Sequence, residues 1–203
     1  MTDNEQSSGP ITESHEAWLA VRADFMRRGL AAKWPQALAL IGLFHLVACL
    51  LCHLFYTNGH LEALPYLVIW AAQLGLNILA IRKLIGRGWA KTNPIFGILA
   101  RIWLTFLIIS FSVTSYSEMS ADQANAFNWF KPAWASLSCF AWAVTAWLVS
   151  PWFVLAAVWT WATGWLMIYR IHDAYLIYGI GWSVLLWIIA AILQQKSRRN
   201  FNN

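Results

Sequence analysis

Residues 132–169 contain no charged side chain. As a single helix they would extend about 57 Å at about 1.5 Å per residue, whereas the hydrocarbon core of a bilayer is about 30 Å thick. The run therefore predicts two membrane-crossing helices that turn back at Ser150-Pro151. The rest of the chain repeats the pattern. It is 60% hydrophobic with only 11% charged residues, while a soluble domain carries roughly 25% charge. The expected class is an all-α integral membrane protein.

Prolines mark where the spans begin. Pro35, Pro65, Pro94, Pro132 and Pro151 stand at or near the start of an apolar run, where a helix tolerates proline because its first N–H groups have no intrahelical partner. Asn93 and Ser150 each put a capping side chain before a proline. The predicted spans are 36–57, 62–81, 94–116, 132–149, 151–169 and 174–193, the last capped by Asp173, giving six transmembrane helices. The first apolar run opens only near residue 36 with no small-residue cleavage site after it, so no cleaved signal peptide is expected.

Charge orients these spans. Arg82, Lys83, Arg87 and Lys91 form a basic island between two apolar runs. With Arg22, Arg27, Arg28, Lys33, Lys196, Arg198 and Arg199 they account for eleven of the fourteen Lys and Arg residues. Inside loops carry the Lys/Arg excess, so both termini and this island are expected inside, in the cell (inner or plasma) membrane. The net charge of +5 is then a topology signal, and nucleic acid binding is not expected.

Four regions follow. Residues 1–13 form a polar, disordered tail. Residues 14–33 have Trp18, Leu19, Val21, Phe25, Met26 and Leu30 on one side and Glu16, Asp24, Arg27 and Arg28 opposite. That pattern predicts an interfacial amphipathic helix with Arg22 snorkelling toward lipid phosphates. Residues 34–195 are the six-helix domain, and 196–203 a basic cytoplasmic tail. Pro65-Tyr66-Leu67-Val68-Ile69 and Pro151-Trp152-Phe153-Val154-Leu155 open the second and fifth spans alike, as an inverted repeat would. The preferred reading is plainer: proline followed by aromatic and aliphatic residues is a common way to enter a membrane.

Polar residues inside spans are the candidate site. Counted along their helices, His45 and Gln73 fall at nearly equal depth near the midplane, with Asn77 and Arg101 shallower. Such groups are costly in lipid, so all four are expected to face inward; the preferred reading is interhelical glue, with Arg101 able to reach the inner headgroups, and the alternative is a ligand-binding cluster. Cys49-Leu50-Leu51-Cys52-His53 matches the C-x-x-C-H pattern of c-type haem attachment. This offers an alternative, redox reading with haem as cofactor. The plainer reading makes Cys49, Cys52 and Cys139 small buried hydrophobic residues without a cofactor. His53, His60, His172 and Asp173 share the outer side and are read as solvated loop residues, with no metal site expected. No hydrolase, phosphate-loop or zincin motif is present, and catalysis is not expected.

Fifteen tryptophans divide between interfacial belts and the interior. Trp34, Trp89, Trp147 and Trp152 are assigned to the inner interface and Trp129 and Trp134 to the outer. Trp103, Trp142, Trp159 and Trp182 are deeper and suited to wall an apolar pocket. This tryptophan richness, with Gln73-Leu74-Gly75-Leu76-Asn77, resembles the tryptophan-rich sensory proteins of the translocator-protein family, five-helix bundles that bind porphyrin-like ligands. The six spans and the order of the longer motifs depart from that family, and membership is not assigned. The functional expectation is a non-catalytic small-ligand sensor, transport component or accessory subunit. Its expected partners are the lipid bilayer, other membrane subunits or a small apolar ligand.

On helices 132–149 and 151–169, Ala135, Cys139 and Ala143 recur every four residues, as do Ala156, Thr160 and Gly164. Residues four apart share a helix face, so these stripes predict close antiparallel packing.

Overall fold

The computed structural model describes residues 10–31, 33–60, 63–118 and 123–202. Seven α-helices and two short 3-10 turns make up nearly all of them, with no strand among the described residues. Helix α1 covers Pro10–Ala31, α2 Trp34–Thr57, α3 Ala63–Leu84, α4 Pro94–Glu118, α5 Gln123–Leu148, α6 Phe153–Tyr169 and α7 Ala174–Asn202. The turns are Trp89–Lys91 and Ile171–Asp173. Four helical stretches, Trp34–Thr57, Leu64–Leu84, Pro94–Val113 and Ile171–Arg199, are long and apolar enough to cross a membrane. The shorter α6 is also apolar.

Helices α2 to α7 occupy the six expected runs, with differences at the boundaries. Helix α1 reaches back to Pro10, into the expected polar tail, whose residues 1–9 lie outside the described residues. Helix α5 begins at Gln123 and carries Pro132 in its interior, so most of the expected connection before Pro132 is helical. Helix α7 runs on through Lys196, Arg198 and Arg199, where cations complement the partial negative charge of a helix C-terminus. At the start of α4 the expected cap forms, Asn93 Oδ1 accepting the Ile95 N–H at 2.9 Å. Asp173 instead accepts from Arg170 at 3.2 Å.

Helix α7 packs most extensively on α2, joining the first and last of the six apolar helices. Small residues make the approach possible. A Cβ at Gly179 would lie 2.4 Å from Cys49 Cβ, and one at Gly42 would lie 2.9 Å from Trp187 Nε1. Two side chains bridge the seam by donating to backbone carbonyls: Ser183 Oγ to Gly42 at 2.7 Å and Trp187 Nε1 to Ala39 at 3.1 Å. From this pair the bundle continues through α6 and α5 to α4 on one side and to α3 on the other, while α3 and α4 make little contact. The predicted stripes on α5 and α6 do meet: a Cβ at Gly164 would come 3.0 Å from Ala135 Cβ, and Ala156 and Thr160 are buried.

Helix α1 lies against the end of the bundle that carries Trp34, Trp89, Phe96 and Val149. Phe25 meets Phe96 at 4.5 Å between ring centroids. Asn93 Nδ2 donates to the Val21 carbonyl at 3.1 Å and to Asp24 at 3.0 Å. Arg22, expected to snorkel toward lipid phosphates, turns instead to the bundle. Its Nε donates to the Val149 carbonyl just past the end of α5, where a helix leaves its last carbonyls without intrahelical donors.

Candidate functional site

Helices α2, α3 and α7 converge on His45. It shares one face of α2 with Gly42, Cys49 and Cys52 and is buried with them. Its ring lies 5.6 Å from Trp70 of α3, and 5.3 and 5.5 Å from Tyr178 and Trp182 of α7. The rings then continue outward. Trp70 meets Trp134 of α5 edge-on at 4.7 Å, and Trp103 of α4 meets Trp142 and Trp182 at 5.1 and 5.6 Å. Edge-to-face pairs at such spacings add roughly 0.5–1.5 kcal/mol each beyond the area they bury. Three of the tryptophans expected in the interior, Trp103, Trp142 and Trp182, thus come together. Trp134 joins them instead of the outer belt, and Trp159 instead donates to the Gly181 carbonyl at 2.8 Å, tying α6 to α7.

The α3 face that meets this cluster carries polar groups. Tyr66 and Trp70 contact the core, and Gln73 and Asn77 follow at the three- and four-residue spacing that keeps side chains on one helix face. Asn77 Oδ1 and Trp70 Nε1 are buried with no hydrogen-bond partner among the described residues. His45 Nε2 lies 3.6 Å from Cys49 Sγ. His45, Gln73 and Asn77 therefore belong to the α2 and α3 side of the bundle.

Arg101 does not join them. It is exposed, and with Ile98, Thr105 and Phe106 of α4 and Leu137 and Phe140 of α5 it lines an open groove of about 280 Å³. Trp103, two residues on, points into the core. At 3.6 residues per turn, neighbours two apart lie about 200° apart around the axis, which turns Arg101 outward.

At the far end of the bundle the structure brings together a cluster that sequence reasoning missed. Lys131 is 1% exposed. Its Nζ stands 3.4 Å from the Tyr56 ring centroid and 5.1 Å from that of Tyr175. Tyr56 donates its hydroxyl to Asn128 Oδ1 at 3.1 Å, and Lys131 Nζ donates to the same oxygen at 3.4 Å. Tyr66 stacks on Tyr175 at 5.6 Å and donates to the His60 carbonyl at 2.6 Å. Ends of α2, α3, α5 and α7 are thereby joined around one cation. The available signal was that three tyrosines, Tyr56, Tyr66 and Tyr175, stand near the ends of spans on the same side as Lys131.

Cys49 and Cys52 are both 0% exposed, and neither is in a disulfide. A haem held by two thioethers needs both sulfurs open to one edge of the macrocycle. Cys49 is instead pressed against Gly179 of α7, and Cys52 is enclosed in the same core. These residues do not fit covalent haem, and the packing role expected of small buried thiols accounts for them. Among the described residues no three His, Cys, Asp or Glu side chains gather to hold a metal ion. His60 packs on Phe55, and His172 lies against Tyr56.

No protein-family model, curated protein or solved structure matches the chain. What can be said of its role rests on these residues.

Proposed function

We propose that the chain is a multi-pass protein of the cell membrane, with α2 to α7 as six spans, both termini and the basic island inside, and α1 lying at the inner interface. It works without chemistry of its own, as a sensor or transport component that takes a small, largely apolar ligand at the α3 side of the bundle. Trp70, Gln73, Asn77 and His45 are its contacts there. Arg101 is not part of this site.

The observation that carries the ligand reading is the buried, unpartnered amide oxygen of Asn77. A side chain serving as interhelical glue hydrogen-bonds to a neighbouring helix, whereas a buried acceptor left unmade costs about 1–3 kcal/mol. Trp70 Nε1 adds an unpartnered donor about two helical turns away. A mostly apolar molecule with one donor and one acceptor would satisfy both. Access is provided by the loose α3–α4 side, where helix contact is slight and tryptophan side chains bridge to the core.

A second reading, an accessory subunit, is favoured by the exposed face of α6. There Trp161 and Trp165 form an edge-to-face pair at 6.1 Å, as a helix from a neighbouring subunit would meet.

Replacing Asn77 by leucine separates ligand contact from glue. In nanodiscs, thermal unfolding of Asn77→Leu is expected at or above the wild-type temperature, because an unsatisfied polar group is removed. A clear fall in that temperature would show that the amide holds helices together. The six-span topology is tested by single cysteines at Asn58, Thr92 and Ser197. Only Asn58→Cys should label from outside in sealed cells, and labelling of Ser197→Cys would overturn the six-span reading.

A further inference from the structure

We propose that the groove between α4 and α5 is a binding site for one anionic phospholipid, with its phosphate on Arg101 and an acyl chain along the groove; this rests on the membrane reading above. The cation is the first part of the argument. Arg101 sits about two turns into α4, within a stretch apolar enough to cross a membrane. Among the described residues it makes no ion pair or hydrogen bond. An exposed guanidinium at that depth needs a counterion, and its length lets it reach the headgroup layer.

The groove supplies the second part. From Arg101 it continues past Ile102 and Thr105 to Ile109 on α4, walled across by Leu137 and Phe140 of α5. Ile98 to Ile109 span about 16 Å along the axis, which suits an extended acyl chain. Its polar end is the end near Pro94 and the basic island, so a lipid lying in it has its headgroup beside positive charge and its tail toward the midplane. A guanidinium binds phosphate through paired N–H donors, which a zwitterionic headgroup competes for less well because its own cation offsets the phosphate charge. Ordinary solvating lipid would need neither the arginine nor the groove.

Native mass spectrometry of the full chain, purified with equal amounts of dioleoyl phosphatidylglycerol and dioleoyl phosphatidylcholine, tests the site. Wild type should retain the anionic lipid preferentially. Arg101→Gln should lower that preference about tenfold, the effect of losing one charge-assisted hydrogen-bonded contact, while Arg101→Lys, which keeps the charge but not the paired donors, should fall between wild type and Arg101→Gln. Thr105→Trp, which fills the groove, should reduce retention of both lipids. Arg82→Gln, in the basic island, should leave the preference in place. Equal preference in wild type and Arg101→Gln, an equal loss in Arg82→Gln, or unaltered retention in Thr105→Trp would each overturn the proposal. The readout is independent of cysteine labelling and of the Asn77 variant, so this site and the functional reading can fail separately.

Discussion

Gly179 is where the packing of this bundle is most exacting. A Cβ added there would come 2.4 Å from Cys49 Cβ, while carbon atoms in contact sit about 3.5–4.0 Å apart. Both atoms are fixed to their helix backbones, so no rotamer change relieves the clash, and α2 and α7 must part by about 1 Å. Overpacking of this kind costs about 1–3 kcal/mol, and the absence of a flexible neighbour puts Gly179→Ala in the upper part of that range. Alanine also gains about 1 kcal/mol over glycine in a helix interior, leaving a net loss of about 1–2 kcal/mol. Gly75 of α3 is the control, because a Cβ there meets nothing within 4 Å. Gly75→Ala should therefore be neutral or stabilising. The measurement is reversible unfolding in mixed micelles, with Cys49→Gly added to close a double-mutant cycle. Removing the opposing Cβ should restore room for the methyl group introduced by Gly179→Ala, giving a coupling energy of about 1–3 kcal/mol. If Gly179→Ala and Gly75→Ala shift stability alike, or the cycle shows no coupling, the close α2–α7 seam is wrong.

The two ends of the bundle supply further tests. At the Lys131 cluster, Tyr56→Phe keeps the ring under the ammonium and loses the hydroxyl bond to Asn128, about 1 kcal/mol. Tyr56→Leu loses the cation–π contact as well, for a total of about 2–3 kcal/mol, and equal losses in unfolding experiments would deny the ring its part. At the α1 end, hydrogen bonds from Arg27, then Arg28 and Asn93, hold the Asp24 carboxyl well below the ordinary carboxylate range. A depressed folded-state pKa contributes stability that is fully present above about pH 4 and is lost as pH falls through the acid range below it. Protection of α1 from hydrogen exchange should therefore decline on acidification in wild type, and Asp24→Asn should abolish that pH dependence; an equal decline in both would assign it to other groups.

The helices were legible because their signals are local. Pro35, Pro65, Pro94 and Pro151 with the charge-free run marked where apolar helices begin, while Pro132 lies inside α5; the four-residue stripes through Ala135 and Gly164 foretold a contact that the structure makes. The α2–α7 seam was hidden for a different reason. Gly42, His45, Cys49 and Cys52 recur at spacings of three, four and three, and Gly179 and Ser183 at four, so each helix shows a packing face. Nothing local says that the first apolar helix and the last meet, and without that partner Cys49-Leu50-Leu51-Cys52-His53 offers a haem motif beside the plainer packing reading.

The two cations show what depth alone leaves open. Counting residues gave the height of Arg101 in its helix but not its direction, and placing it with His45 assumed that every polar group in a span turns inward. That assumption weighs only the cost of facing lipid. A long basic side chain has two ways to avoid that cost, enclosure among rings or escape to the headgroups. Lys131 takes the first, because Tyr56 and Tyr175 close over it from neighbouring helix ends. Arg101 instead faces outward and is exposed, because Trp103 has claimed the inward face of α4, and a helix cannot point both residues the same way. On α4 the azimuth is thus set by Trp103, since packing that ring against Trp142 and Trp182 leaves the outward direction to Arg101.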